Sequence, residues 1–222
     1  MTQRMTTICI WFVFLFISRA TQAVVIVDTG QPPFISSAGG SLYYLGPPIL
    51  FEGVEYPGQS LAGYFQVSEN YVLTDIEGWM FSQPGFLTLS LYVDQGGQLD
   101  VSQRLFNQKF FVPQTAVENW HGLNGLNWPV TPGAYWATFE SQPGDTYKGA
   151  MTGGPGFNAP NPLAKYAYTL DLLSWNELDD AGLGVRIQGN AAVPEPSTIV
   201  LFLGGIIGVI SCNLWRPLGM LG

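Results

Sequence analysis

The clearest pattern along the chain has a period of two. In the run from Phe86 to Val93, Leu87, Leu89, Leu91 and Val93 fall on one side, and Phe86, Thr88, Ser90 and Tyr92 on the other. Successive side chains of a strand point to opposite faces, so this run predicts a β-strand with one face buried. Similar runs occupy Val24–Val27, Leu61–Val67, Tyr71–Trp79, Leu105–Val112, Ala134–Phe139 and Gly184–Gln188. Turn-forming residues separate many of them, as in Gln83-Pro84-Gly85, Asp94-Gln95-Gly96-Gly97 and Thr131-Pro132-Gly133. Strands about ten residues apart, with no convincing amphipathic helix among them, predict an all-β antiparallel sandwich or jelly roll. Ala164–Leu178 is the one stretch with room for a short helix, and Gly149–Pro162 reads as a long exposed loop.

Two unbroken apolar runs interrupt this alternation, one near each end. Ile8 to Ile17 follows Arg4 and precedes small residues at Ala20 and Ala23. A helix needs about 20 residues to span a bilayer, so ten suit the core of a secretory signal. Residues 1–23 are therefore expected to be a helical signal peptide, cleaved after Ala20 or Ala23, with the Sec translocon and signal peptidase as partners. The alternative is an uncleaved anchor. At the other end, the 18 residues from Thr198 to Trp215 would be ~27 Å long as a helix. That is close to the ~30 Å hydrocarbon thickness, and predicts a transmembrane helix over 198–215. Just before it, Pro194 and Pro196 prevent a helix from running backwards. They divide an exported domain, 24–192, from a tail, 193–222.

Val193-Pro194-Glu195-Pro196-Ser197, followed by an apolar span and Arg216, resembles the PEP-CTERM sorting signal. That signal is carried by exported proteins of Gram-negative bacteria that make exopolysaccharide. The resemblance implies that a membrane protease-transpeptidase, the exosortase, reads the Pro-Glu-Pro motif and removes the tail. It implies a precursor anchored in the inner membrane and a final place on the cell surface or in the extracellular polysaccharide matrix of a biofilm. One departure is that tails of this family usually end in several Arg or Lys, whereas here Arg216 is followed by Pro-Leu-Gly-Met-Leu-Gly. A plain carboxyl-terminal anchor is the alternative. Within the exported domain, AGYFQVSENYVLTDIEGW, LTLSLYVDQGG and GLNWPVTPGAYWATFE resemble the β-sandwich domains called choice-of-anchor domains. This likeness covers Leu61 to Glu140 and implies a fold, with no activity attached.

Composition narrows the function classes. Of 222 residues only 11% are charged, while 47% are apolar. Such a chain can bury a core, which excludes a disordered chain, and its scarcity of Glu, Lys and Arg excludes a coiled coil. Eight basic against sixteen acidic residues exclude a nucleic-acid partner. Residues 24–192 hold five basic and fifteen acidic side chains, a net charge of −10. Cys9 and Cys212 both fall outside this domain, so it has no disulfide despite an oxidising destination.

Several constellations have the residue types of known chemistry. Asp75 and Glu77 lie two apart on one strand, about 6.6–6.8 Å. Paired carboxylates serve glycoside hydrolysis, yet the third acid of single-strand jelly-roll glycosidases is here Leu73. Tyr71 and Trp79 flank the pair on the alternation of the strand, so Tyr71, Asp75, Glu77 and Trp79 form a candidate glycan-contact surface. Gly58-Gln59-Ser60-Leu61-Ala62 approximates a nucleophile elbow ahead of the single histidine, His121, but a strand pattern follows where an elbow needs a helix. Asp94 with its glycines offers one carboxylate where Ca²⁺ wants six to eight oxygens. Asn176-Glu177-Leu178-Asp179-Asp180 is either a solvated turn or a loop holding a structural Ca²⁺. Trp120, Trp128, Tyr135 and Trp136 surround His121 in sequence, as core aromatics or as a sugar-stacking platform. The reading that follows assigns no catalytic residue, metal or cofactor. It is a non-enzymatic exported surface or matrix protein, with a lectin-like carbohydrate-binding module as the alternative.

Overall fold

The computed structural model describes residues 23–32, 41–51, 54–81, 83–153, 162–178 and 182–192. Residues 1–191 form one compact unit and 192–222 a second. The predicted signal helix, the sorting motif Val193–Ser197, Arg216 and the 198–215 span lie outside the described residues. Among the described residues no helix is long and apolar enough to cross a membrane.

The described chain is all-β. Its strands are β1 (Ala23–Asp28), β2 (Ser41–Leu45), β3 (Ile49–Phe51), β4 (Val54–Tyr56), β5 (Ser60–Val67), β6 (Tyr71–Phe81) and β7 (Gly85–Gln95). They continue as β8 (Gln98–Val112), β9 (Asn119–Val130), β10 (Gly133–Glu140), β11 (Gly149–Gly153), β12 (Lys165–Thr169), β13 (Asn176–Leu178) and β14 (Val185–Ala191). The first sheet runs β1-β14-β6-β11-β2, with β9 paired along the opposite edge of β6. The second runs β13-β12-β5-β10-β7-β8, and β3 with β4 makes a separate hairpin. Every pairing is antiparallel.

The two larger sheets share one apolar core, which makes the fold sandwich-like. From the second sheet, Leu61 and Phe65 of β5, Leu87, Leu89 and Leu91 of β7, and Ala137 and Phe139 of β10 point inward. They meet Leu73, Ile76 and Met80 of β6, Leu123 and Val130 of β9, and Val185 and Ile187 of β14. Leu87, Leu89 and Leu91 are all fully buried, as their alternation predicts. Each such side chain contributes about 1.5–3 kcal/mol through loss of water contact.

The other face of β7 is not the polar surface that the alternation suggests. Ala62, Tyr64, Tyr92, Trp136 and Ala167 form a second buried cluster on the outside of the second sheet. Beside it lie two buried carboxylates. Glu140, with no solvent exposure, accepts hydrogen bonds from Ser90 Oγ (3.1 Å), Tyr92 Oη (2.8 Å), Thr138 Oγ1 (2.6 Å) and Gln142 Nε2. Asp145 accepts from Thr88 Oγ1 at 2.9 Å and pairs with Lys109 at 2.7 Å. A buried carboxylate is tolerated when donors replace its lost water, and here the hydroxyls of the alternate face supply them. Burial, and then the neighbouring Glu140, push the Tyr92 phenol well above its ordinary range.

Two expectations are corrected. Ala164–Leu178 contains strands β12 and β13 rather than a helix. Ala167 packs opposite Ala62 in the outer cluster, and pairing with β5 outweighs the local helical composition. Gly149–Pro162 is not wholly a loop, because Gly149–Gly153 is the buried strand β11 between β6 and β2. Its small residues let the backbone pass close by, since a Cβ on Gly149 would stand 2.3 Å from Tyr147 Oη.

Leu89→Ala is expected to lower stability by about 2–5 kcal/mol in urea unfolding. Leu105→Ala, at a 44% exposed position, is expected to stay within about 0.5 kcal/mol of the parent. Equal losses would place the core elsewhere. Glu140→Ala strands hydroxyl donors and is expected to cost at least about 1–3 kcal/mol in the same assay.

Candidate functional site

The outer face of the first sheet is set by one inserted residue. Along β14, Leu73 pairs with Gly189 and Asp75 with Gln188, so Thr74 has no counterpart. The β9 ladder breaks at the same place but in the opposite sense, with Leu73 opposite Trp128 and Asp75 opposite Asn124, so there β9 carries the extra residues. A bulge of one residue reverses which positions face inward. Before it, Tyr71 and Leu73 point into the core; after it, Ile76 and Met80 do. Asp75, Glu77 and Trp79 therefore share the outer face, and Tyr71 does not. Tyr71 is buried in the common core with its hydroxyl donating to Glu69 Oε1 at 3.0 Å. Its expected place beside Asp75, Glu77 and Trp79 is corrected, because strict alternation carries no sign of an inserted residue.

The three that remain together are joined by residues of neighbouring strands. Arg186 of β14 stands opposite Glu77 and approaches Asp28 of β1, Nε to Oδ1, at 3.6 Å. Its guanidinium carbon lies 4.2 Å from the centre of the Trp120 ring, a cation–π contact. Trp120, opposite Trp79 on β9, meets it edge to face with centroids 5.2 Å apart. Trp79 Nε1 donates to Oε2 of the buried Glu118 at 3.0 Å. Loss of hydration pushes the Glu77 carboxyl above its usual range; Arg186 pulls it down, and Asp75 adds to the rise. Trp120 thus lies beneath Arg186, and Trp79, only 9% exposed, is packed against Trp120. A sugar ring stacking here would first have to displace Arg186.

Ser60 and His121 do not form a catalytic pair. Ser60 begins strand β5, and its Oγ accepts the N–H of Ser141 at 2.9 Å. It alternates with Ala62 and so lies on the outer side of the second sheet, whereas His121 is on β9 of the first. Packed sheets stand about 10 Å apart, beyond hydrogen-bond reach. Burial holds the His121 imidazole below its ordinary pKa.

The oxygen-rich turns have internal partners. Asp94 accepts from Trp136 Nε1 and from the Gly97 N–H, both at 2.8 Å, and so closes the β7–β8 turn. Asn176–Leu178 is strand β13, and Glu177 pairs with Lys165 at 3.0 Å; Asp179 and Asp180 lie outside the described residues. Among the described residues no group of three metal-ligating side chains comes together. Of the aromatics near His121, Tyr135 faces the core beside Phe65, and Trp128 stacks on Phe106 at 5.1 Å.

Trp136 points the other way and lines a cleft that sequence reasoning missed. Gln98 and Leu99 at the start of β8, Ala167 of β12, Trp175 before β13, and Asn176 and Glu177 of β13 complete its wall, around about 470 Å³. Trp175 Nε1 is buried without a hydrogen-bond partner, as is Trp120 Nε1 on the first sheet. The lining comes from three stretches far apart in the chain, and one of them lies in the segment read as helix. Only the surplus of tryptophan signals it.

No protein-family model, curated protein or solved structure matches the chain.

The raised Glu77 pKa has a definite sign. Its contribution to stability is fully present below the ordinary 4.5 and is lost as pH rises through the folded value. A series of thermal midpoints across pH 4–7 is expected to show this loss in the parent and not in Glu77→Gln. Parallel profiles would mean that Glu77 is as well hydrated in the fold as in the open chain.

Proposed function

We propose that this is an exported, non-enzymatic protein of the bacterial cell surface or extracellular polysaccharide matrix, delivered through its PEP-CTERM tail. On this reading residues 1–23 direct passage through the Sec translocon. The β-sandwich domain, 24–192, is translocated, and 198–215 holds the precursor in the inner membrane as a helix. An exosortase then reads Pro194-Glu195-Pro196.

The observation that carries the reading is the pairing of β1 with β14. Ala23 stands opposite Asn190 and Val24 opposite Gly189, so the first and last strands end side by side. The chain therefore enters and leaves the fold at one place, which suits a domain drawn through a membrane by its leader and then held to that membrane by its tail. β14 ends at Ala191, two residues before Val193, so the Pro-Glu-Pro motif follows the final strand directly. Residues read by a protease must be free to extend into its cleft, and the described ladders of β14 take up none of them. The same pairing favours signal cleavage after Ala20. Cleavage there keeps β1 whole, whereas cleavage after Ala23 removes the Ala23–Asn190 pair.

Expression of the full chain in a host with an exosortase, and in the same host lacking it, tests this. The tail is expected to be lost, and the protein released from the membrane fraction, only when the exosortase is present. A variant carrying both Pro194→Ala and Pro196→Ala is expected to remain full-length and membrane-bound. Unchanged release and size in that variant would overturn sorting through the motif. Amino-terminal sequencing of the released protein is expected to begin at Thr21.

A further inference from the structure

We propose that the cleft between Trp136 and Trp175 is a binding site for a neutral oligosaccharide. The inference stands on the geometry of the second sheet alone and does not rest on how the protein is sorted. Its volume of about 470 Å³ falls within the 300–1,000 Å³ usual for small-ligand sites. A pyranose ring has apolar C–H faces and a rim of hydroxyls that both donate and accept. The cleft offers the matching parts: the partly exposed Trp175 indole over a floor that includes the buried Trp136, the amides of Gln98 and Asn176, and the carboxylate of Glu177. Amides and carboxylates engage neighbouring hydroxyls, and an indole takes the C–H face.

Two features distinguish it from an ordinary surface groove. Trp136 is fixed, with its Nε1 on Asp94 at 2.8 Å and its ring edge-on to Tyr64 at 5.2 Å, so this wall is set before any ligand arrives. Trp175, which also lines the cleft, is only partly buried, and this leaves part of its ring for the C–H face of a sugar. Lys165 pairs with Glu177 at 3.0 Å at the rim, an exposed pair in which the lysine faces a carboxylate already present. With a net charge of −10 over 24–192, the domain repels uronic acids. The charge and the amides together select a neutral glycan.

The test uses the full-length chain in a detergent without sugar headgroups. Linear oligosaccharides of glucose, mannose and galactose are the neutral probes, and oligogalacturonate is the acidic one. Binding is read by calorimetry and by the indole N–H resonances of the seven tryptophans. At least one neutral probe is expected to bind saturably and to move the Trp175 signal, identified by its absence in Trp175→Phe. Trp175→Ala is expected to weaken binding at least about tenfold, with Trp175→Phe retaining most of it. Glu77→Gln, on the opposite sheet, is expected to change nothing. Should Trp175→Ala fail to fold, Gln98→Ala and Asn176→Ala, at the cleft mouth, take its place with the same expected direction. Flat titrations with all three neutral probes, preference for oligogalacturonate, or undiminished binding in the cleft variants would each overturn the proposal.

Discussion

The fold is held by two sheets burying their alternate faces against each other, and little else is available to do it. The domain has no cysteine, and among the described residues each ion pair has at least one partly exposed partner. Surface ion pairs are worth little, so apolar burial must supply the stability. This constraint fixes which residues remain for anything else. Along each strand every second position is spent on the core, and function is confined to the outer faces and the loops.

The outer faces have been handled in two different ways. On the first sheet, the bulge at Thr74 turns Asp75, Glu77 and Trp79 outward, and Arg186 from β14 is drawn over Trp120. Arg186 and the two indoles pack on one another there, leaving a half-buried patch with little open aromatic surface. On the second sheet, a further aromatic cluster covers the strands, with Glu140 and Asp145 embedded among hydroxyl donors. That layer is incomplete where Trp175 meets Trp136, and the gap is the cleft. The contrast decides where a ligand fits. An aromatic capped by a guanidinium must lose a favourable contact before it can stack on a sugar, whereas Trp175 keeps part of its ring uncovered beside an open cleft.

How far the sequence is legible follows from the same physics. Strands that alternate over several residues and bury one face, such as β5, β7 and β10, are read directly, and so is the all-β antiparallel class. Strands whose pairing comes from distant partners are not. β11 is built from Gly149, Ala150, Met151, Thr152 and Gly153, a composition that reads as loop until β2 and β6 flank it. β12 and β13 lie in a stretch with helical local preference that tertiary pairing overrides. The Thr74 bulge is invisible because it changes parity without changing composition, and it removes Tyr71 from the face where alternation places it. Of the candidate glycan surface, Asp75, Glu77 and Trp79 come together as read, but their partners Arg186, Trp120 and Glu118 belong to other strands. The cleft was hidden for a related reason: residues 98, 136 and 175 become neighbours only through sheet order.

The edge made by β1 and β14 links the fold to its proposed route. An antiparallel pair at the chain ends closes the domain with the last residues to arrive, since β14 completes a ladder that β1 has left open at the sheet edge. On the proposed pathway the leader emerges first and the tail last, so the domain cannot finish folding until its final segment has crossed the membrane. β14, the last described strand, ends at Ala191 and the motif starts at Pro194, so the described strand pairs use no residue that the proposed processing would remove.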